Sequence, residues 1–173
     1  VKFQFFDPQN VVTSSVPMAK YQKENLGTKV NQQKMLSHYM LSEEQLISLK
    51  NYAEKNGIIF LCTSHSGIDE YTKLDKMGVI AHKVGSGDLM NLPVLRYLAN
   101  KGKPIIFGTG MSTLEDVFNV HKFMLKHNND KTIFLHCTTD YPCPFPDVNL
   151  NSMQAIKNEL GCLTGYSDHT LGI

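Results

Sequence analysis

The chain has 173 residues, 17 Lys and Arg against 16 Asp and Glu, a formal net charge of +1, and 42% hydrophobic residues. That apolar share at near-zero net charge excludes an intrinsically disordered chain, and the balance of charge leaves no basic footprint for nucleic acid. No apolar run approaches the ~20 residues a membrane-spanning helix needs, and no secretory signal opens the sequence.

In chain order, the first predicted element is an apolar strand, Val1–Phe6. A polar stretch from Asp7 to Lys34 follows, and its length predicts a functional loop. The first predicted helix opens on a capping box, Ser42-Glu43-Glu44-Gln45, with Leu41 placed to staple onto Leu46. Leu46, Leu49 and Ala53 give it one apolar face, and Gly57 supplies the stop. Strand Ile58–Thr63 precedes a helix carrying Ile68, Tyr71, Leu74 and Met77 ahead of Gly78. Strand Val79–Val84 precedes a helix with Pro93 in its first turn, Leu95 and Leu98 on its face, and Gly102 beyond. After strand Pro104–Thr109, the second capping box is read at Ser112-Thr113-Leu114-Glu115, leading into Val117, Val120 and Met124. Strand Thr132–Thr138, a helix with Met153, Ile156 and Leu160 ending at Gly161, and strand Cys162–Ser167 complete the chain.

Six strands alternate with five helices, and from the second strand onward the runs start roughly twenty to thirty residues apart, the length of a βα unit. Several strands are apolar on consecutive positions (Ile58-Ile59-Phe60-Leu61, Ile105-Ile106-Phe107), as expected when helices cover both faces of a parallel sheet. The pattern predicts a doubly wound sheet or a (β/α)8 barrel. Val1 lies in an apolar stretch without an initiator Met, and Ile173 follows no polar tail, so the chain is expected to be a segment of a longer fold. The four cysteines, Cys62, Cys137, Cys143 and Cys162, form no C-x-x-C pair and are expected to be reduced thiols, mostly buried, in a cytoplasmic protein.

Ligands of parallel α/β folds bind at the carboxyl ends of the strands. The residues there are Lys2 and Gln4; Thr63; Lys83-Val84-Gly85-Ser86-Gly87-Asp88; Gly108-Thr109-Gly110; Thr138-Thr139-Asp140-Tyr141; and Ser167-Asp168-His169. Lys2 and Lys83 alternate with apolar neighbours inside strands, where an unpaired ammonium is costly. They read either as members of internal salt bridges or as point charges for a phosphate or carboxylate. Gly85-Ser86-Gly87 and Gly108-Thr109-Gly110 let backbone N–H groups approach such an anion. His169 reads as a structural hydrogen-bonder or a metal ligand, and no H-x-x-x-H spacing joins it to His65, His82 or His136. The proline-spaced Tyr141–Pro146 segment is either a stiff connection or a rigid loop holding Tyr141 over a site.

Taken in order, Lys2-Phe3-Gln4, Phe60-Leu61-Cys62-Thr63, Lys83–Asp88, Thr109-Gly110-Met111, His136-Cys137-Thr138, Tyr141-Pro142, Asp147–Leu150 and Gly165–Gly172 resemble the sialic acid synthase family, bacterial branch, across nearly the whole chain. The resemblance implies a TIM-barrel enzyme that condenses phosphoenolpyruvate with an N-acetylated hexosamine, releasing phosphate and a nine-carbon 2-keto sugar acid. The acceptor it implies is N-acetylmannosamine or a 2,4-diacetamido relative. It also implies a divalent cofactor, Mn2+ or Mg2+, and a homodimer in the full-length protein. Lys2, Gln4, Thr63, Lys83, Ser86, Thr139 and Ser167 fall at substrate-binding positions, with Lys2, Thr63, Lys83, Ser86 and Ser167 at phosphoenolpyruvate contacts. Asp88 stands where the family has Glu or Asp near the reacting atoms, Tyr141 falls at a sugar contact, and His169 at one of two metal-binding histidines. Asp88, Lys83 and Tyr141 are therefore the expected catalytic residues. Many relatives carry Ser where this chain has Gly108. By the same resemblance residues 1–173 are strands two to seven of the barrel, with the first strand, the eighth strand and a C-terminal antifreeze-like domain expected outside them. The alternatives are a Schiff-base aldolase using Lys83, or a truncated, inactive fragment that binds phosphate-like ligands.

Overall fold

A computed structural model describes residues 1–27 and 30–172. The chain divides into two compact units, Val1–Gly78 and Val79–Ile173.

The first unit contains β1 (Lys2–Phe5), α1 (Pro8–Val11), α2 (Lys20–Leu26), α3 (Gln32–Tyr39), α4 (Glu43–Lys55), β2 (Leu61–Ser64) and α5 (Ile68–Lys76). Strands β1 and β2 are parallel, with Lys2 opposite Leu61 and Gln4 opposite Thr63. The predicted capping box of α4 is formed: Ser42 Oγ accepts from the Gln45 N–H at 3.2 Å, and Gln45 Oε1 accepts from the Ser42 N–H at 2.8 Å. Leu46 and Ala53 are buried, as are Tyr71 and Leu74 of α5. The Tyr71 hydroxyl donates to the Ser64 carbonyl at 3.3 Å, which ties α5 to the end of β2.

The interval from Asp7 to Lys34 is not the structureless loop its polarity predicts, because it holds α1, α2 and the start of α3. Asp7 caps α1 by accepting from Gln9 N at 2.9 Å, and Asn31 caps α3 by accepting from Lys34 N at 2.8 Å. These helices bury one residue or none (Pro8 in α1, Met35 in α3), so they carry no apolar stripe for a periodicity reading to detect.

The second unit contains β3 (His82–Val84), α6 (Leu92–Ala99), β4 (Ile105–Gly108), α7 (Leu114–Lys126), β5 (Thr132–His136), α8 (Asn151–Leu160) and β6 (Leu163–Tyr166), with 3-10 turns at Ser86–Asp88 and Phe145–Asp147. Its four strands are parallel and pair in chain order. Register places Val84, Phe107 and Phe134 in one row, and all three are fully buried. Phe107 and Phe134 stack at 5.0 Å between ring centroids. This row is the apolar face packed by helices, with Leu95, Leu98, Val117, Val120 and Met124 contributing from α6 and α7. Side chains alternate along strands, so Lys83, Ile106, Ile133 and Leu163 form a row on the opposite face.

Two further expectations are corrected. All the apolar runs but the one starting at Thr132 begin before their strands, and Ile59, Ile80 and Leu163 are 61%, 59% and 71% exposed rather than covered. Ile58 serves the end of α4, since its N–H donates to the Ala53 carbonyl at 2.9 Å. The capping box of α7 sits one residue later than read: Thr113 is the cap, Asp116 its reciprocal partner, and the Ser112 hydroxyl turns back to the Gly110 carbonyl at 3.4 Å.

Candidate active site

Lys83 lies on β3 in an almost fully buried position, and its Nζ donates to the Val84 carbonyl at 2.7 Å. A buried ammonium needs polar company, and the sequence supplies it at the next turn and the next strand. A Cβ added to Gly108, the last residue of β4, would lie 3.2 Å from Lys83 Nζ and 2.9 Å from Ser86 Oγ. The glycine at this position therefore leaves the ammonium and the hydroxyl on either side of a space no side chain occupies. Ser86 Oγ accepts from the Gly110 N–H at 3.0 Å and lies 3.2 Å from Cys137 Sγ. Gly110 in turn has Thr139 Oγ1 against the place a Cβ would occupy. Lys83, Ser86 and Thr139 thus converge around two glycines at the carboxyl ends of β3, β4 and β5.

A second cluster lies after β5 and β6. The Ser167 N–H donates to the His136 carbonyl at 2.8 Å, continuing the parallel ladder past the end of β6. His169 Nδ1 donates to the Thr138 carbonyl at 2.7 Å, because a carbonyl can only accept. The rings of Tyr141 and His169 lie 4.3 Å apart between centroids at 31°. Asp168 accepts from Thr170 N at 2.8 Å, from Thr170 Oγ1 at 3.1 Å and from the Tyr166 hydroxyl at 3.2 Å. The bonds from Thr170 hold its carboxyl below the ordinary carboxylate range. Thr138 and Thr139 are consecutive, so one short segment serves both clusters.

Asp88 is half-buried at the end of the 3-10 turn and accepts from Asn91 Nδ2 at 3.2 Å through one carboxylate oxygen, leaving the other for a ligand. Beside these groups a cavity of about 370 Å3 is lined by Met111, Ser112, Cys137, Thr138, Thr139 and Ser152, among others. Met111 stands there in the left-handed region (φ 61°) with its side chain 73% exposed.

In the first unit, Gln4 and Thr63 face one another in register, and Lys2 precedes them on β1. Thr63 is buried and its Oγ1 has no hydrogen-bond partner, a costly arrangement of the kind a bound ligand relieves. Lys2 is exposed, contrary to the expectation of an ammonium inside a covered strand. It lies on the first paired residue of β1, opposite Leu61. Its field lowers the pKa of Cys62 only in part, since burial pushes that thiol up to about 12.

All four cysteines are free thiols, as expected, with Cys162 the half-buried one. Cys137 contributes more than packing, because its sulfur touches Ser86 Oγ; in the sequence it belonged to the His136-Cys137-Thr138 motif without a role of its own. The Thr138 carbonyl is likewise a backbone group that no residue-type reading identifies. Gly110 was legible, through Gly108-Thr109-Gly110.

A divalent metal finds little here. His169 offers one imidazole nitrogen, Nε2, but among the described residues no three His, Cys, Asp or Glu side chains come together as a metal-holding group. These residues do not by themselves build the metal centre that the sequence resemblance implies.

A family model described as the NeuB family matches residues 1–173. The chain is 39% identical to the N,N'-diacetyllegionaminic acid synthase of Legionella pneumophila, in a match covering 100% of this chain and 49% of that protein. It is 36% identical to the human N-acetylneuraminate-9-phosphate synthase over 79% of this chain and 38% of that one. Among solved structures, the N-acetylneuraminic acid synthetase of Leptospira borgpetersenii superposes with a TM-score of 0.83 at 24% identity, covering 99% of this chain and 55% of that chain. The chain thus spans about half the length of the curated relatives it matches over its whole length. Its parallel strands and intervening helices are those of a TIM-barrel-type α/β segment, and the chain belongs to the NeuB family, the sialic acid synthases.

Proposed function

We propose that the protein carrying this chain condenses phosphoenolpyruvate with an N-acetylated hexosamine, giving a nine-carbon 2-keto sugar acid and phosphate. The observation that carries this reading is the gap at Gly108, flanked by Lys83 Nζ and Ser86 Oγ, with Thr139 at the adjoining Gly110. An ammonium, hydroxyls and backbone N–H groups gathered at these strand ends suit an anion such as a phosphate or carboxylate. Within the first unit, the unpartnered Thr63 Oγ1 and the exposed Lys2 and Gln4 also suit a polar, anionic ligand.

In this reading the cradle holds the phosphate and carboxylate and fixes the enol carbon against the open-chain aldehyde of the acceptor. A carbon–carbon bond forms, the aldehyde oxygen takes a proton, and positive charge develops at the carbon bearing the phosphate oxygen. Water adds there, and the tetrahedral intermediate expels phosphate to leave the keto group. Asp88, with one oxygen held by Asn91, is placed to orient that water or move its proton. Lys83 stabilises the negative charge throughout. A divalent ion, when bound, would polarise the aldehyde; no step above is assigned to it. Whether the acceptor is N-acetylmannosamine or a 2,4-diacetamido hexosamine is decided by comparing both substrates.

The test is phosphate release by the full-length protein. Release is expected only with phosphoenolpyruvate, an N-acyl hexosamine and a divalent metal together, and release without the sugar would overturn the reading.

A further inference from the structure

We propose that Tyr141 is a positioning residue for His169, fixing its imidazole as the Nδ1–H tautomer with the Nε2 lone pair turned away from the protein. The contribution of a tyrosine at this place is otherwise read as a contact to the acceptor sugar; the geometry assigns it a different task.

Every part of His169 is held. Its main chain is pinned at one side by the Cys143 N–H, which donates to the His169 carbonyl at 2.8 Å. On either side of it, the Asp168 carboxylate closes a turn onto Thr170 and the Tyr166 hydroxyl. The ring is held edge-on by the Thr138 carbonyl, 2.7 Å from Nδ1. That acceptor has no proton to give, so Nδ1 carries the hydrogen and Nε2 carries the lone pair.

A single hydrogen bond leaves an imidazole free to rock about its χ2 axis, which is a soft torsion. The Tyr141 ring, 4.3 Å away at 31°, lies along one face of the imidazole and removes that freedom. Tyr141 and Cys143 belong to the same short loop, so the loop that grips the His169 main chain also covers its ring. The result is one nitrogen presented with a lone pair in a fixed direction, ready to take a proton.

This inference rests on the proposed function only in placing His169 at a reaction centre, and its readout does not require turnover. The full-length protein, labelled with 15N-histidine, would be examined at pH 8 by long-range 1H–15N correlation, with the His169 signals identified from the spectrum of His169→Gln. Wild-type chain is expected to show a protonated Nδ1, an unprotonated Nε2, and ring protons shifted upfield by the tyrosine. Tyr141→Phe should preserve all three features. Tyr141→Leu should lose the upfield shift and move both nitrogens toward averaged values. A wild-type spectrum with the proton on Nε2, or without the upfield shift, overturns the proposal even if the leucine variant does not fold. So does a folded Tyr141→Leu chain that keeps the wild-type nitrogen pattern and, in the full-length protein, changes only the acceptor KM. Failure of phosphate release with an unaltered His169 pattern would instead count against the proposed reaction.

Discussion

At the scale of single residues, the Ser86 hydroxyl is the point where the candidate cradle is joined, receiving the Gly110 N–H and touching the Cys137 thiol. The two glycines beside it behave differently toward an added methyl group. At Gly108 the new carbon would press on Ser86 Oγ and Lys83 Nζ, both ends of side chains, and on the Ser86 backbone nitrogen at 3.3 Å. Gly108→Ala is therefore expected to raise the KM for phosphoenolpyruvate several-fold while the fold stays intact, as steady-state kinetics and thermal melting would show. At Gly110 the carbon would collide with Thr139 Oγ1 and lie 3.3 Å from the Cys137 carbonyl, a backbone atom with little room to move. Gly110→Ala should destabilise the chain by roughly 1–3 kcal/mol, as overpacked sites do, measured by denaturant unfolding. Thiol chemistry gives a further check. Burial lifts the Cys62 thiol to about 12, so at pH 8 it should alkylate far more slowly in the native chain than in the urea-unfolded one. Lys83, Ser86 and the glycine pairs were legible in the sequence because charge and Gly-flanked hydroxyls at strand ends are unusual, whereas Thr139 stood out only through the family resemblance. The Cys137 contact and the Thr138 carbonyl were not, since a thiol among apolar residues and a main-chain oxygen leave no mark in residue type.

Among the elements, α7 shows how a correct motif can be read in the wrong frame. Ser112 and Thr113 are both followed three residues later by an acidic residue, so either could open the helix. The structure selects Thr113, whose Oγ1 accepts from Asp116 N at 3.1 Å while Asp116 Oδ2 accepts from Thr113 N at 2.8 Å. Thr113→Ala should cost about 1 kcal/mol of unfolding free energy, as lost N-caps do, and Ser112→Ala only a few tenths of that. Farther along α7, His121 packs onto β5, its Nδ1 3.1 Å from Thr132 Oγ1 and its ring edge-on to Phe134. Burial lowers its pKa below the ordinary 6.5. A histidine lowered in the folded state binds fewer protons there than when unfolded, so its contribution is intact above pH 6.5 and is lost as pH falls from 6.5 through the lowered native value. Urea midpoints of the wild-type chain should therefore drop between pH 7.5 and pH 5.5 by more than those of His121→Gln. Helices α4 to α8 were legible from caps, stripes and glycine stops, whereas α1 to α3 were not, because they bury too little to show a period.

For the molecule as a whole, the alternation of apolar runs with amphipathic segments was enough to give parallel strands paired in chain order within each unit. It overstated coverage, since Ile59, Ile80 and Leu163 stand open where continuous apolar runs suggested two packed faces. The chain belongs to the NeuB family, and the cradle at Gly108 is what the proposed reaction needs of this chain. A Schiff-base aldolase built on Lys83 would leave a borohydride-stable adduct at that residue, and none is expected by mass spectrometry of the reduced mixture. The most direct measurement follows phosphoenolpyruvate labelled with 18O at its bridging oxygen by 31P NMR, using the full-length protein and a divalent metal. Addition of an N-acyl hexosamine should release phosphate carrying the label, with unlabelled keto acid formed alongside it. Labelled phosphate in the absence of the sugar, or label retained in the keto group, would contradict the condensation assigned to this site.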